Sequence, residues 1–196
     1  NIHVKELQNF NKVGNEVYKK LEKTAEVLLQ AIALYLELDA FYFDSYIREG
    51  NSILRAIHYP PITKAPNEAE RAAAHGDINL ITLLMGSQGG GLQVLNRNQE
   101  WIDAIAGPDE LMINIGDMLS RLTNNHLPST IHRVVNPPPE EWRNARYSLP
   151  FFMHPIPQMP LNCLPQMIDA AHPKKYEDID AGTFLHQRLV ALGLLK

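Results

Sequence analysis

The residues best suited to chemistry lie between positions 75 and 148. His75-Gly76-Asp77 places an imidazole and a carboxylate two apart. On an extended backbone such residues point to one face, and Gly76 between them adds no bulk. His132, in Ile131-His132-Arg133-Val134, follows far enough along the chain to return on a neighbouring strand. Two imidazoles and one carboxylate on one face of a divalent ion leave the opposite positions open, which is the facial arrangement of non-haem Fe(II). Arg146-Tyr147-Ser148 then offers a guanidinium and a hydroxyl, again two apart and on one strand face. Taken alone, His-Gly-Asp is more often a solvated histidine beside a capping aspartate. The apolar run 78–85 directly after it, the second histidine and the Arg-x-Ser pair reverse that balance.

These residues need strands to carry them. Positions 52–58 read as a strand stopped by Tyr59-Pro60-Pro61. A polar, alanine-rich loop over 62–74, with a helical turn from Asn67, delivers the chain to His75. The run 78–85 reads as a strand buried on both faces. Gly86-Ser87-Gln88-Gly89-Gly90-Gly91 reads as a turn, because no G-x-G-x-x-G or Walker pattern precedes a helix there. Leu92–Leu95 and 101–105 pair as a hairpin around Asn96-Arg97-Asn98. Leu111–Ile115 is a further strand ended by Gly116-Asp117, with Asp117 expected as a turn carboxylate bonding backbone amides. Asn124-Asn125 marks the next turn, 130–136 is the strand of His132, prolines 137–139 open a surface loop, and 145–152 is the strand of Arg146 and Ser148. About seven or eight short strands with regular turn signals point to a β-jelly roll.

Helices flank that core. Val17, Leu21, Ala25, Leu28, Ile32 and Tyr35 give 13–36 one apolar stripe. A short helix over 38–48 follows, anchored by Phe41 and Phe43. The proline-studded stretch 150–165 wraps the barrel, and its Met153, His154 and Met159 suit a pocket rim. Leu185, Leu189 and Leu192 stripe a last helix over 183–195, a docking helix or a lid.

A chain of 196 residues with 45% hydrophobic content suits one domain with a proper core. A net charge of −4 advertises no nucleic-acid surface. The single cysteine, Cys163, rules out an internal disulfide and fits a reducing, cytoplasmic setting, where it reads as a small buried hydrophobe. No apolar run reaches transmembrane length and the start is not signal-like, so no membrane partner is expected.

Seven segments together carry a resemblance. They are Asn51-Ser52, Leu54-Arg55-Ala56-Ile57-His58-Tyr59-Pro60-Pro61, His75-Gly76-Asp77, Gly91-Leu92-Gln93-Val94-Leu95, Ile113-Asn114-Ile115-Gly116-Asp117, His132-Arg133-Val134 and Arg146-Tyr147-Ser148. Their order over roughly 50–155 resembles the isopenicillin N synthase-like group of Fe(II)/2-oxoglutarate-dependent dioxygenases. That resemblance implies a mainly β fold with flanking helices, a double-stranded β-helix (jelly roll). A sizeable N-terminal part of the family fold is missing, so the chain reads as a fragment, a processed chain or part of a longer one. The implied sections are helical support over 1–50, the oxygenase core over 51–155 and a C-terminal wrap and helix over 156–196. His75, Asp77 and His132 become the catalytic metal ligands for Fe(II). Arg146 offers the planar fork that fits the distal carboxylate of 2-oxoglutarate, Ser148 adds a hydroxyl, and Tyr59 matches a position that helps bind this cosubstrate. The implied partners are O2 and a small organic substrate, which would be hydroxylated, desaturated or closed into a ring. Ile57 stands where the family often has Asn, so some cosubstrate contacts should differ. His58 and His154 fall near the pocket without being ligands.

Three other readings stay open on residues alone. An iron oxidase of the isopenicillin-synthase type keeps Arg-x-Ser without using 2-oxoglutarate. A non-catalytic jelly roll would hold a metal or small acid without turnover. A zinc hydrolase would use the same three ligands, although nothing resembling a general base stands beside them.

Overall fold

A computed structural model describes residues 4–86 and 90–195. His3 and positions 87–89 of the expected glycine-rich turn lie outside the described residues. Among these residues the chain forms ten short strands, four α-helices and two single-turn 3-10 segments. One four-stranded sheet has the order β1 (Ile53–Leu54), β10 (Pro150–Met153), β4 (Ile81–Met85), β7 (Leu111–Ile115). A second runs β3 (Ala72–His75), β8 (His132–Val134), β5 (Leu92–Leu95), β6 (Trp101–Asp103). A two-stranded ribbon, β2 (Ile57–Tyr59) with β9 (Arg146–Ser148), lies between them in sequence. Every pairing is antiparallel. The β core is the expected jelly roll.

Helix α1 (Phe10–Tyr35) covers the first sheet. Leu21, Ala25, Leu29 and Ala33, one turn apart, form its buried stripe. The alanines let the backbone approach closely, and Tyr18 meets Phe151 of β10 edge-on at 5.2 Å. The helix stops in a Schellman-type turn: Leu38 N–H donates to Ala33 O at 2.9 Å, and Glu37 takes a left-handed φ of 59°. α2 is shorter than expected, spanning Asp44–Ile47. Of its two proposed anchors only Phe43 is buried; Phe41 is 64% exposed.

The expected strands 52–58 and 145–152 are each split in two. Their register is continuous, with Ile53 opposite Phe152 and Ile57 opposite Ser148. The ladder breaks where Pro150 has no N–H to donate, although its carbonyl still accepts from Arg55 N at 3.0 Å. The loop expected over 62–74 becomes strand at Ala72, because Ala72 pairs with Val134 and His75 with His132. A further correction is α3 (Asp117–Leu122), which follows Gly116 directly. Asp117 is therefore the first residue of a helix, and its carboxylate faces Arg188 at 3.5 Å instead of bonding turn amides.

The tail packs more deeply than a rim would. Met153, Met159 and Leu161 are fully buried, and Leu164 nearly so, which overturns the assignment of Met153 and Met159 to a pocket edge. Asn124, with φ 49°, holds the tail through its amide to the carbonyls of Met167, His172 and Pro173. α4 (Ala181–Ala191) starts two residues earlier than expected, because Asp180 caps it by accepting from Thr183 N at 2.7 Å. No helix among the described residues is long and apolar enough to cross a membrane.

Candidate metal centre and cosubstrate pocket

β3 and β8 bring the two histidines together. His75 and His132 are cross-strand partners, and their ring centroids are 4.4 Å apart. Asp77 follows β3 by two residues and turns its carboxylate to the same point, with Oδ1 3.8 Å from His132 Nε2. One ligand atom from each of the three residues falls within 4.8 Å of the others. Asp117 stands outside this cluster.

The atoms not aimed at the centre are already occupied. His75 Nδ1 lies 2.7 Å from Ala73 O, and His132 Nδ1 lies 3.0 Å from Thr130 O. A carbonyl only accepts, so each Nδ1 carries a proton, which leaves Nε2 as the ring nitrogen available to a metal. Asp77 is buried, and its Oδ2 accepts from the Thr82 hydroxyl at 2.6 Å and from Asn114 Nδ2 at 2.9 Å. What remains is two imidazole lone pairs and one carboxylate oxygen, a donor set that fits a divalent first-row metal with open positions. Gly76 suits this segment for a steric reason: a Cβ there would meet Ser129 Oγ at 2.8 Å and Asp117 Oδ1 at 3.0 Å.

Arg146 is 3% exposed and lines a cavity of about 260 Å³ with Leu84, Leu92, Ile105 and Met112. Leu84 and Met112 are opposed across β4 and β7, as are Thr82 and Asn114. The two pairs share one face, two residues apart, which is about 7 Å along a strand. The Arg146 guanidinium sits 5.2 Å over the Tyr59 ring, and that of Arg71 lies 5.8 Å over the same ring. Burial pulls the Arg146 pKa down, Tyr59 pushes it back up, and the nearby Arg71 charge lowers it again. Ser148 is half-buried and shares the Arg146 face of β9.

His58 does not join this pocket. It stacks on exposed Tyr147 at 4.8 Å, on the other face of the β2–β9 ribbon from Tyr59 and Arg146. His154 is buried, and desolvation lowers its pKa to about 4 against an opposing pull from Asp77. Sequence reasoning missed Thr82, Asn114 and Arg71. A threonine inside an otherwise apolar run was a usable signal, since a buried hydroxyl needs a partner.

Residues 50–155 match the 2OG-Fe(II) oxygenase superfamily. The 2-oxoglutarate-Fe(II) type oxidoreductase hxnY of Emericella nidulans is 33% identical over 179 residues, which are 90% of this chain and 50% of that protein. A solved 2OG-Fe(II) oxygenase family protein of Caulobacter crescentus has a TM-score of 0.90 at 47% identity, covering 98% of this chain and 62% of its own. A full-length Neurospora crassa protein, solved in complex with alpha-KG and thymine, gives a TM-score of 0.87 at 35% identity over 97% of this chain and 59% of its own. The chain spans about half the length of the curated relatives it matches. With the β core, the converging His-Asp-His cluster and a family match over more than half its length, this chain belongs to the 2OG-Fe(II) oxygenase superfamily.

Proposed function

We propose that this chain forms the catalytic core of a non-haem oxygenase. In this reading it holds Fe(II) on His75, Asp77 and His132, binds 2-oxoglutarate, and oxidises a small organic substrate with O2. One observation carries the reading: two Nε2 atoms and Asp77 Oδ1 converge while the other donor atoms of the same side chains are already bonded. When bound, the iron and cosubstrate supply an O2-dependent oxidation coupled to loss of CO2 from 2-oxoglutarate, which leaves succinate. The chain's own residues bind and orient. Arg146 pairs with the distal carboxylate, Ser148 adds a hydroxyl donor, and the Tyr59 ring braces the guanidinium from 5.2 Å. Leu84, Leu92 and Met112 keep water from the cosubstrate's methylenes.

The solved relative that holds thymine supports a small organic substrate. The family match over 50–155 supports reading 51–155 as the core, with 1–50 and 156–196 as its support and wrap. The single buried cysteine, Cys163, supports a cytoplasmic setting.

The test is release of CO2 from 2-oxoglutarate by the full-length protein with Fe(II) and O2. Release should require both, and Asp77→Ala should abolish both release and Fe(II) binding. Undiminished iron binding by Asp77→Ala would remove these three residues as the ligands. Substrate turnover without 2-oxoglutarate would point instead to the isopenicillin-synthase type of oxidase.

A further inference from the structure

We propose that Thr82 and Asn114 act as positioning residues that hold Asp77 as a one-oxygen ligand, and so keep a coordination position open for reactants. The inference rests on Asp77 binding the metal, as proposed above.

A carboxylate has two oxygens, each with two lone pairs. Both lone pairs of Asp77 Oδ2 are used, by the Thr82 hydroxyl at 2.6 Å and by Asn114 Nδ2 at 2.9 Å. The first distance is that of a charge-assisted O–H···O⁻ bond. Chelation through both oxygens would require Oδ2 to release one of these donors inside a buried site, where an unsatisfied polar group is costly. Oδ1 remains, 3.8 Å from His132 Nε2.

The direction of the Thr82 bond is set from behind. Asn79 is fully buried, and its Nδ2 donates both to Ile81 O at 3.0 Å and to Thr82 Oγ1 at 2.9 Å. The Ile81 carbonyl can only accept, so the amide orientation of Asn79 is determined. A threonine hydroxyl has one proton. Its two candidate acceptors are Asp77 Oδ2 at 2.6 Å and Asn79 Oδ1 at 3.4 Å, and the short distance to the charged oxygen sends the proton to Asp77. The three residues therefore form a one-way relay from Asn79 through Thr82 to Asp77 Oδ2. Asn114 reaches the same oxygen from β7, and Thr82 and Asn114 are cross-strand partners. The two strands thus clamp a single atom. Gly116 makes room for the relay: a Cβ there would sit 2.2 Å from Asn79 O and 2.4 Å from Asn79 Oδ1.

The experiment uses the full-length protein with Co(II), whose visible absorption reports its coordination number. Wild type, Thr82→Val, Thr82→Ser, Asn114→Leu and Asp77→Ala are titrated, and near-UV circular dichroism checks the fold. Thr82→Val and Asn114→Leu should weaken Co(II) binding by roughly 10–100-fold, the usual range for loss of a partner behind a metal ligand. Their spectra should also shift toward higher coordination. Thr82→Ser, which keeps the hydroxyl, should restore both affinity and spectrum. If Thr82→Val does not fold, Asn114→Leu carries the test. Folded variants with wild-type affinity and an unchanged spectrum would overturn the clamp while leaving Asp77 as a ligand. Wild-type Co(II) binding by Asp77→Ala would instead overturn the metal site itself.

Discussion

Arg146 is a cation held almost wholly away from solvent, with a second guanidinium close enough to lower its pKa. A carboxylate entering the cavity would relieve both burdens. Removing one side of a buried charge pair costs about 2–5 kcal/mol, and even the lower bound is roughly 30-fold in affinity. Arg146→Ala should therefore raise the dissociation constant for 2-oxoglutarate by about 30-fold or more. Calorimetry with Mn(II) in the metal site measures this without turnover, and an unchanged constant would remove Arg146 from the cosubstrate site. Gly116 makes a second prediction at this scale. A methyl group there would collide with the Asn79 backbone at 2.2 Å, and overpacking of this kind costs about 1–3 kcal/mol or more. Gly116→Ala should lower the urea midpoint by the corresponding amount and weaken metal binding, because Asn79 cannot shift without releasing Thr82. The residues of the His-Asp-His cluster were legible in the sequence because His-Gly-Asp, common by itself, is followed by an apolar run, a second histidine at strand-return distance and Arg146-Tyr147-Ser148. Thr82 left a signal as a hydroxyl inside an apolar run, but that its partner is Asp77, and that Asn114 joins it, depends on which strand lies opposite, and local sequence does not encode that.

At the scale of elements, α1 shows what periodicity can reveal. Its apolar repeat was plain, and Leu21 and Ala25 of the expected stripe are buried, but the buried face then runs through Leu29 and Ala33, and Tyr35 is exposed. Leu29 is completely buried, so Leu29→Ala should destabilise the fold by about 2–5 kcal/mol, read from chemical denaturation. A cost under about 1 kcal/mol would mean that α1 packs loosely. α3 was hidden because six residues are too few to establish a helical period between a strand and the Asn124-Asn125 turn. The split of the strands expected over 52–58 and 145–152 was hidden for another reason. Pro150 was visible inside the expected strand 145–152, but that its missing N–H interrupts the ladder depends on the strand opposite, 53–59, with which the register is continuous.

For the molecule as a whole, stability should depend on acidity through His154. Its pKa falls from an ordinary 6.5 to about 4 in the fold because burial disfavours its charged form. Between those values the unfolded chain binds a proton that the folded chain refuses. Folding stability is therefore unaffected by His154 above pH 6.5 and declines as pH falls toward 4, by up to about 3 kcal/mol. Urea unfolding at pH 7.5 and pH 5 should show this decline, and His154→Phe should flatten it; equal slopes in the two proteins would exclude His154 as the cause. The β1–β2 and β9–β10 ribbon has a consequence of another kind. The Ser52 hydroxyl meets the Met153 sulfur across 101 residues of chain, so β1 and β2 leave the ribosome well before their partners and stay unpaired until nearly the whole core has been made. Until then they expose unpaired edges and an uncovered apolar face, and the barrel closes late. The protein is thus more exposed to aggregation during its synthesis than after it, and slower translation through the middle of the message would lengthen that interval.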